Sequence, residues 1–228
     1  MEEPVKVLVV DVGGTSVKIL ATGQTERRKF PSGKKMTPRK MVEGVKQLAE
    51  DWHYDVVSLG YPGMVRDNRP VAEPRNLARG WVGFDFGAAF GCPVKIINDA
   101  AMQALGSYRQ GTMLFLGLGT GLGSALVADG TLVPLELGHL GVGKRTFEDD
   151  LGIRGLKRLG RKRWQKRVEA ITERFVSALI LDDVVLGGGN AERLTRLPPG
   201  CRVGDNANAF LGGFRLWENK ANSYEAAD

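Results

Sequence analysis

Asn98 and Asp99 stand where a short apolar run, 94–97, meets an alanine-rich stretch, 100–108. The run reads as a strand and the stretch as a helix. A carboxylate at such a junction can orient a hydroxyl and take its proton as a phosphoryl group moves onto it. The same pair also reads as a plain helix cap, so both accounts stand on these two residues alone. Further along, PLELGHLGVG sets Glu136 and His139 three residues apart, and Glu148 follows. Sugars present neighbouring hydroxyls that both donate and accept. Carboxylates and imidazole can read them in pairs, and a site built for them rejects analogues lacking one. A structural polar turn is the competing account. A metal site is the poorer one, because no cysteine or Glu-x-x-His partner completes it.

Two glycine turns could handle phosphate. In DVGGTSVK, Asp11 ends an apolar run at Val5–Val10, Gly13 and Gly14 form the turn, and Thr15 and Lys18 follow. We expect positive φ at both glycines, backbone N–H groups turned toward a phosphate, and Mg²⁺ held at Asp11 directly or through water. The second turn, LGLGTGLGSA, places Gly119, Thr120, Gly121 and Gly123 between two strands. Neither segment is a GxxxxGK[ST] loop. Neither is a dinucleotide fingerprint, since each turn opens a second strand where that motif opens a helix. Each alone is also compatible with a bare hairpin.

The elements that must carry these residues alternate between strand and helix, which indicates an α/β fold. Strands are expected at 5–10, 17–21, 24–30, 56–59, 94–97, 112–118, 124–128, 131–134 and 183–186. Met41, Val45, Leu48 and Trp52 mark the buried stripe of a helix over 38–52. Trp164, Val168, Ile171, Phe175 and Leu179 mark another. A last helix is expected from Asp205 or Asn206 to Glu218, followed by a frayed tail, 220–228. The strand–glycine turn–strand setting near residues 13 and 120 suggests two halves of similar construction, divided as 1–100 and 101–228, with the final helix packing back on the first.

The 228 residues include 43% hydrophobic and 25% charged side chains, which fits a folded core and excludes a disordered chain. Cys92 and Cys201 are the only cysteines and are read as reduced thiols. No apolar run is long enough to span a membrane, and MEEPVKVLVVD is unlike a signal peptide, so a cytoplasmic protein is expected. The formal net charge of +6 permits a polyanionic partner.

Taken together, these segments resemble the ROK family of bacterial sugar kinases, and within it the polyphosphate glucokinase-like branch. Residues 11–18 look like its first phosphate motif and 119–123 like its second. Tyr61-Pro62-Gly63 resembles the loop beside the sugar, Asn98-Asp99 the pair with the catalytic base, and Glu136-Leu137-Gly138-His139 the sugar-binding ExGH. Gly187, Gly188, Gly189 and Asn190 resemble the segment near the nucleotide base. The resemblance implies an actin-like (ribonuclease H-like) fold of two lobes around a cleft. It implies Mg²⁺-dependent transfer from ATP or inorganic polyphosphate to a hexose, most often glucose at O6, by a homodimer. Asp99 would be the catalytic base, and Asn76, Asn98, Asp99, Glu136, His139 and Glu148 the sugar ligands. Gly13, Gly14, Thr15, Lys18, Gly119, Thr120 and Gly121 would meet phosphate.

The family's cysteine cluster after the histidine is missing, since 141–150 read GVGKRTFEDD, so no zinc is expected. Regulators in the family carry a further DNA-binding domain, and with Asp11 so near the start none is expected here. The stretch 154–167 has eight Lys or Arg among fourteen residues. It reads either as a solvated helix face or as a track for a linear polyanion such as polyphosphate. Nucleic acid is not expected, because no aromatic platform accompanies the charge. A non-catalytic sugar or polyphosphate binder, and a kinase for another hexose or acetamido-sugar, are the rival readings.

Overall fold

The computed structural model describes residues 4–218; the tail expectation at 220–228 lies outside them. The chain divides into two compact units. One comprises residues up to Ile97 together with those from Gly213, and the other Asn98–Gly212. The sequence-based division fell after residue 100; the division by contacts falls just before Asn98, so Asn98 and Asp99 open the second unit.

In the first unit, β1 (Val7–Val12) is buried along its whole length and occupies the middle of a five-stranded sheet. Such a strand reads as an unbroken apolar run because both faces are covered. β2 (Ser16–Ala21) alternates buried and half-buried residues and pairs antiparallel with β1. β3 (Arg28–Pro31) continues the meander on the other edge of β2. It starts four residues later than expected. Helix α1 (Pro38–Leu48) begins at a Thr37 cap whose hydroxyl accepts from Lys40 N–H, with Pro38 in the first turn. It ends before Trp52. Arg28 donates to the terminal carbonyl of Leu48 at 2.7 Å and lies 4.2 Å over the Trp52 ring, so the carbonyl is satisfied and Trp52 is buried without further helix.

β4 (Val56–Tyr61) pairs parallel with β1. Between it and the edge strand lie the short hairpin β5 (Val65–Arg66) and β6 (Arg69–Pro70) and the helix α2 (Phe86–Phe90). β7 (Val94–Asn98) completes the order β3-β2-β1-β4-β7.

The second unit opens with α3 (Asp99–Ser107) and repeats the same strand order. Here β8 (Thr112–Leu118) is central, β9 (Leu122–Ala128) and β10 (Thr131–Leu135) form the antiparallel meander, and the parallel side is built later in the chain. First come the small hairpin β11 (Gly141–Val142) and β12 (Arg145–Thr146), then α4 (Phe147–Leu151) and α5 (Ile153–Leu179). β13 (Asp183–Gly187) and β14 (Cys201–Val203) follow, giving β10-β9-β8-β13-β14.

Trp164, Val168, Ile171 and Phe175 of α5 face the core as their spacing predicts, but Leu179 at the helix end is 37% exposed. Gly160 breaks α5 with φ 73°, a conformation that suits glycine, whereas Gly155 stays helical. The last helix, α6 (Asn208–Arg215), starts two or three residues beyond the expected Asp205 or Asn206 and ends three before Glu218. Asp205 accepts from Ala207 N–H at 2.8 Å, forming a turn ahead of the helix.

Burial, with Asp183 and Glu173 nearby, pushes the Cys201 thiol up to about 11. At pH 8 only about one part in a thousand is then thiolate. Alkylation of Cys201 followed by peptide mass spectrometry should therefore speed up about tenfold per pH unit between 8 and 10. A plateau above pH 9 would contradict this.

Candidate active site

Each unit carries part of the expected constellation. In the first, the β1–β2 register sets Asp11 opposite Lys18, and the ammonium lies 3.0 Å from Asp11 Oδ2. Asp11 is 7% exposed. The turn is closed by Gly13 N–H to Ser16 O at 3.0 Å, and Ser32 Oγ donates to Gly13 O at 2.6 Å. Neither glycine adopts positive φ, contrary to the expectation. Crowding is what disfavours a side chain: a β-carbon on Gly14 would stand 3.2 Å from that of Asn76, a tight contact. The fold thus brings Asn76 to the phosphate-like turn, sixty-two positions away in sequence.

The loop bearing Asn76 is held at both ends. Glu73 accepts from the N–H groups of Gly80 and Trp81, each at 3.1 Å. Tyr61 donates to Ala72 O at 2.7 Å, and burial raises its phenol far above the ordinary range, so it remains a donor. Sequence reading missed Glu73. Its only signal is a carboxylate seven to eight residues before a Gly-Trp pair.

In the second unit, Asn98 caps α3 by accepting from Ala100 and Ala101 N–H at 2.9 and 3.2 Å. Asp99 Oδ1 accepts from Ala100 N–H at 2.8 Å. The capping expectation is met, and the Asp99 carboxylate sits at the half-buried N-terminal end of a helix, where the helix dipole favours a negative charge. The glycine hairpin between β8 and β9 is tied to its surroundings. Ile153 N–H donates to Gly119 O at 3.0 Å, and Asn190 Nδ2 donates to the same carbonyl at 2.8 Å. Asn190 is thus a buried support of the hairpin. Gly187, Gly188 and Gly189 lead into it from the end of β13.

Glu136 starts a 3₁₀ turn, Leu137–His139. Ser124 fixes that turn to β9, since its hydroxyl donates to Leu135 O at 2.9 Å and accepts from Leu137 N–H at 3.0 Å. Ser124 was not singled out from sequence, where an inward serine on a strand carries no mark. Glu136 and His139 are exposed on this turn. Glu148 Oε2 would lie 2.5 Å from a β-carbon on Gly121, and a β-carbon on Gly138 would lie 2.7 Å from Leu122 O. Gly121 and Gly138 therefore admit the close approach of hairpin, 3₁₀ turn and α4. Glu148 pairs with Arg154 at 3.1 Å. The second unit thus gathers the second phosphate-like turn, the ExGH turn and Glu148, beside the α3 N-terminus. Thr120 lies exposed at the hairpin tip and Thr15 at the tip of the first turn.

The basic stretch 154–167 is not one uniform track. Arg154 pairs with Glu148 and Asp149, and Arg158 and Arg167 pair with Asp150. Beyond the Gly160 break, Arg161, Lys162 and Arg163 are exposed, and Arg161 Nε donates to Arg193 O at 2.7 Å.

No helix among the described residues is long and apolar enough to cross a membrane. Among those residues no three His, Cys, Asp or Glu side chains gather as a metal cluster. Magnesium is commonly held by one carboxylate together with substrate phosphates and water. Asp11 is a carboxylate of the kind that mode uses, and its Oδ2 accepts from Lys18 Nζ at 3.0 Å.

The ROK family profile matches residues 7–146. The chain belongs to the ROK family. It is 28% identical over 212 residues to the polyphosphate glucokinase of Mycobacterium tuberculosis (strain CDC 1551 / Oshkosh), covering 83% of this chain and 80% of that one. It is 29% identical over 208 residues to the N-acetylmannosamine kinase of Salmonella typhimurium, covering 82% and 67%. The solved inorganic polyphosphate/ATP-glucomannokinase of Arthrobacter sp. strain KM superposes with a TM-score of 0.79 at 24% identity, covering 93% of this chain and 98% of that one. The fold is the actin-like fold of this family.

Proposed function

We propose that this ROK protein is a Mg²⁺-dependent kinase that transfers a phosphoryl group from ATP or inorganic polyphosphate to a hexose, glucose at O6 first among candidates. The observation that carries the reading is the convergence in one unit of Gly119–Gly123, the Glu136–His139 turn and Glu148, beside the helix end that bears Asp99. Polyphosphate glucokinase and glucomannokinase relatives support it.

Asp99 orients the acceptor hydroxyl and accepts its proton. Asn98, Glu136, His139 and Glu148 bind the remaining hydroxyls, with Asn76 a further ligand. The turns at Gly13, Gly14, Thr15 and Lys18 and at Gly119, Thr120 and Gly121 meet the phosphate chain. Mg²⁺, when bound near Asp11, supplies charge neutralisation on the donor phosphates. A coupled assay crossing glucose, mannose, fructose, N-acetylglucosamine and N-acetylmannosamine with both donors tests the reading. Turnover with one hexose supports it, and silence throughout refutes it. The N-acetylmannosamine kinase relative, 29% identical but with less of its length covered than the glucokinase's, makes an acetamido-sugar the second reading.

A β-carbon on Gly119 would meet nothing within 4 Å. Gly119→Ala should therefore melt like the wild type yet lower kcat/KM at least tenfold, because the methyl group enters the space assigned to phosphate. Unchanged kinetics would remove Gly119 from the donor site.

The exposed triad Arg161, Lys162 and Arg163 suits repeated phosphates. Changing all three to alanine should raise KM for polyphosphate about tenfold or more, while KM for ATP stays within twofold, as read from parallel donor titrations. Equal loss with both donors, or loss with neither, would contradict a polyphosphate track.

A further inference from the structure

A cavity of about 240 Å³ lies in the second unit, lined by Lys144, Arg145, Phe147, Asp150, Arg167 and Arg174 together with Ala170 and Ile171. Arg167, Ala170, Ile171 and Arg174 recur at i, i+3, i+4 and i+7, so they form one stripe along α5. Lys144 comes from the turn of the β11–β12 hairpin, Arg145 from β12, and Phe147 and Asp150 from α4. Four cations thus face one carboxylate across the cavity. That carboxylate is already engaged, with Arg158 at 2.5 Å and Arg167 at 3.7 Å. Among the described residues, Lys144, Arg145 and Arg174 have no ion pair.

Like charges held around a concave space repel one another and concentrate anions there. Guanidinium forks match phosphate oxygens in pairs, and an ammonium adds a point charge. Buried Ile171 and Phe147, which is set edge-on against Phe175 at 5.2 Å, give the cavity an apolar floor. The volume is below the usual range for drug-sized ligands, about 300 Å³ and upward, so it suits a compact anion and has no room for a nucleoside beside it.

We infer that this cavity is a second anion site, taking a small multivalent phosphate: a short oligophosphate or a phosphate monoester. Lys144, Arg145 and Arg174 lie outside the 154–167 stretch and outside every residue assigned to the sugar and donor, so the inference does not rest on the kinase reading.

Calorimetry on the full chain without magnesium tests it, titrating tripolyphosphate in one arm and glucose 6-phosphate in the other. Arg174→Ala and, separately, Lys144→Ala should each weaken binding of at least one of them tenfold or more, with melting unchanged. Lys34→Ala, at an exposed lysine of the first unit, should retain that binding. Loss confined to tripolyphosphate identifies an oligophosphate ligand, and loss confined to glucose 6-phosphate a monoester. Titrations of both single variants that coincide with the wild type, or equal loss in Lys34→Ala, would overturn the assignment.

Discussion

Asp99→Asn should lower kcat by about 10²- to 10⁴-fold, the span typical of a lost general base, while sugar affinity stays within a few-fold. The substitution is close to isosteric, and an asparagine Oδ1 can still accept from Ala100 N–H as Asp99 does now. Asn98 keeps its own two bonds to the first turn of α3. The helix end therefore survives and the sugar's hydrogen-bonding partners remain. What disappears is a group able to hold the proton of the attacking hydroxyl. Steady-state kinetics alongside calorimetric sugar binding separates the two effects. A variant that turns over normally would remove Asp99 from the role of base. A variant that loses sugar binding in step with turnover would make it a ligand only.

The second large effect concerns stability. Gly106 lies in α3, and Gly212 lies in α6, whose first part belongs to the same unit. A β-carbon on Gly106 would overlap Asn208 O, and one on Gly212 would overlap Met102 O. In both cases the obstacle is helix backbone, which cannot swing aside as a long side chain can. Gly106→Ala and Gly212→Ala should each cost about 3 kcal/mol or more, at or beyond the upper end of ordinary overpacking, despite the gain in helix propensity of about 1 kcal/mol that alanine brings. Urea unfolding measures this directly. A midpoint equal to or above the wild type's would mean that the two helices are not in backbone contact.

Much of this architecture is legible in the residues. Buried β1 announces itself as VKVLVV, and the α5 stripe from Trp164 to Phe175 follows from spacing alone. Element ends are less legible because they depend on distant partners. At the end of α1, Arg28 from β3 donates to the Leu48 carbonyl, a partner that no local signal foretells. The order of the motifs was enough to suggest the family. The reasons for individual glycines were not visible. Gly13 and Gly14 looked like positions of positive φ, whereas neither has it and Gly14 is instead closely approached by Asn76. Gly121 looked like a phosphate contact, and what the structure shows at it is the close approach of Glu148. Likewise the basic stretch looked continuous until the acids of α4 were seen to engage three of its arginines. In each case the decisive neighbour lies on another element, so the sequence shows the residue but not what it faces.

The most direct test of the central claim is phosphorus NMR of the wild-type protein with glucose, Mg²⁺ and either ATP or polyphosphate. The account predicts a growing phosphomonoester signal split into a triplet by the two protons on carbon 6, formed only when sugar is present. Glucose binding without any phosphomonoester from either donor or any hexose would contradict it and leave a sugar-binding protein in place of a kinase.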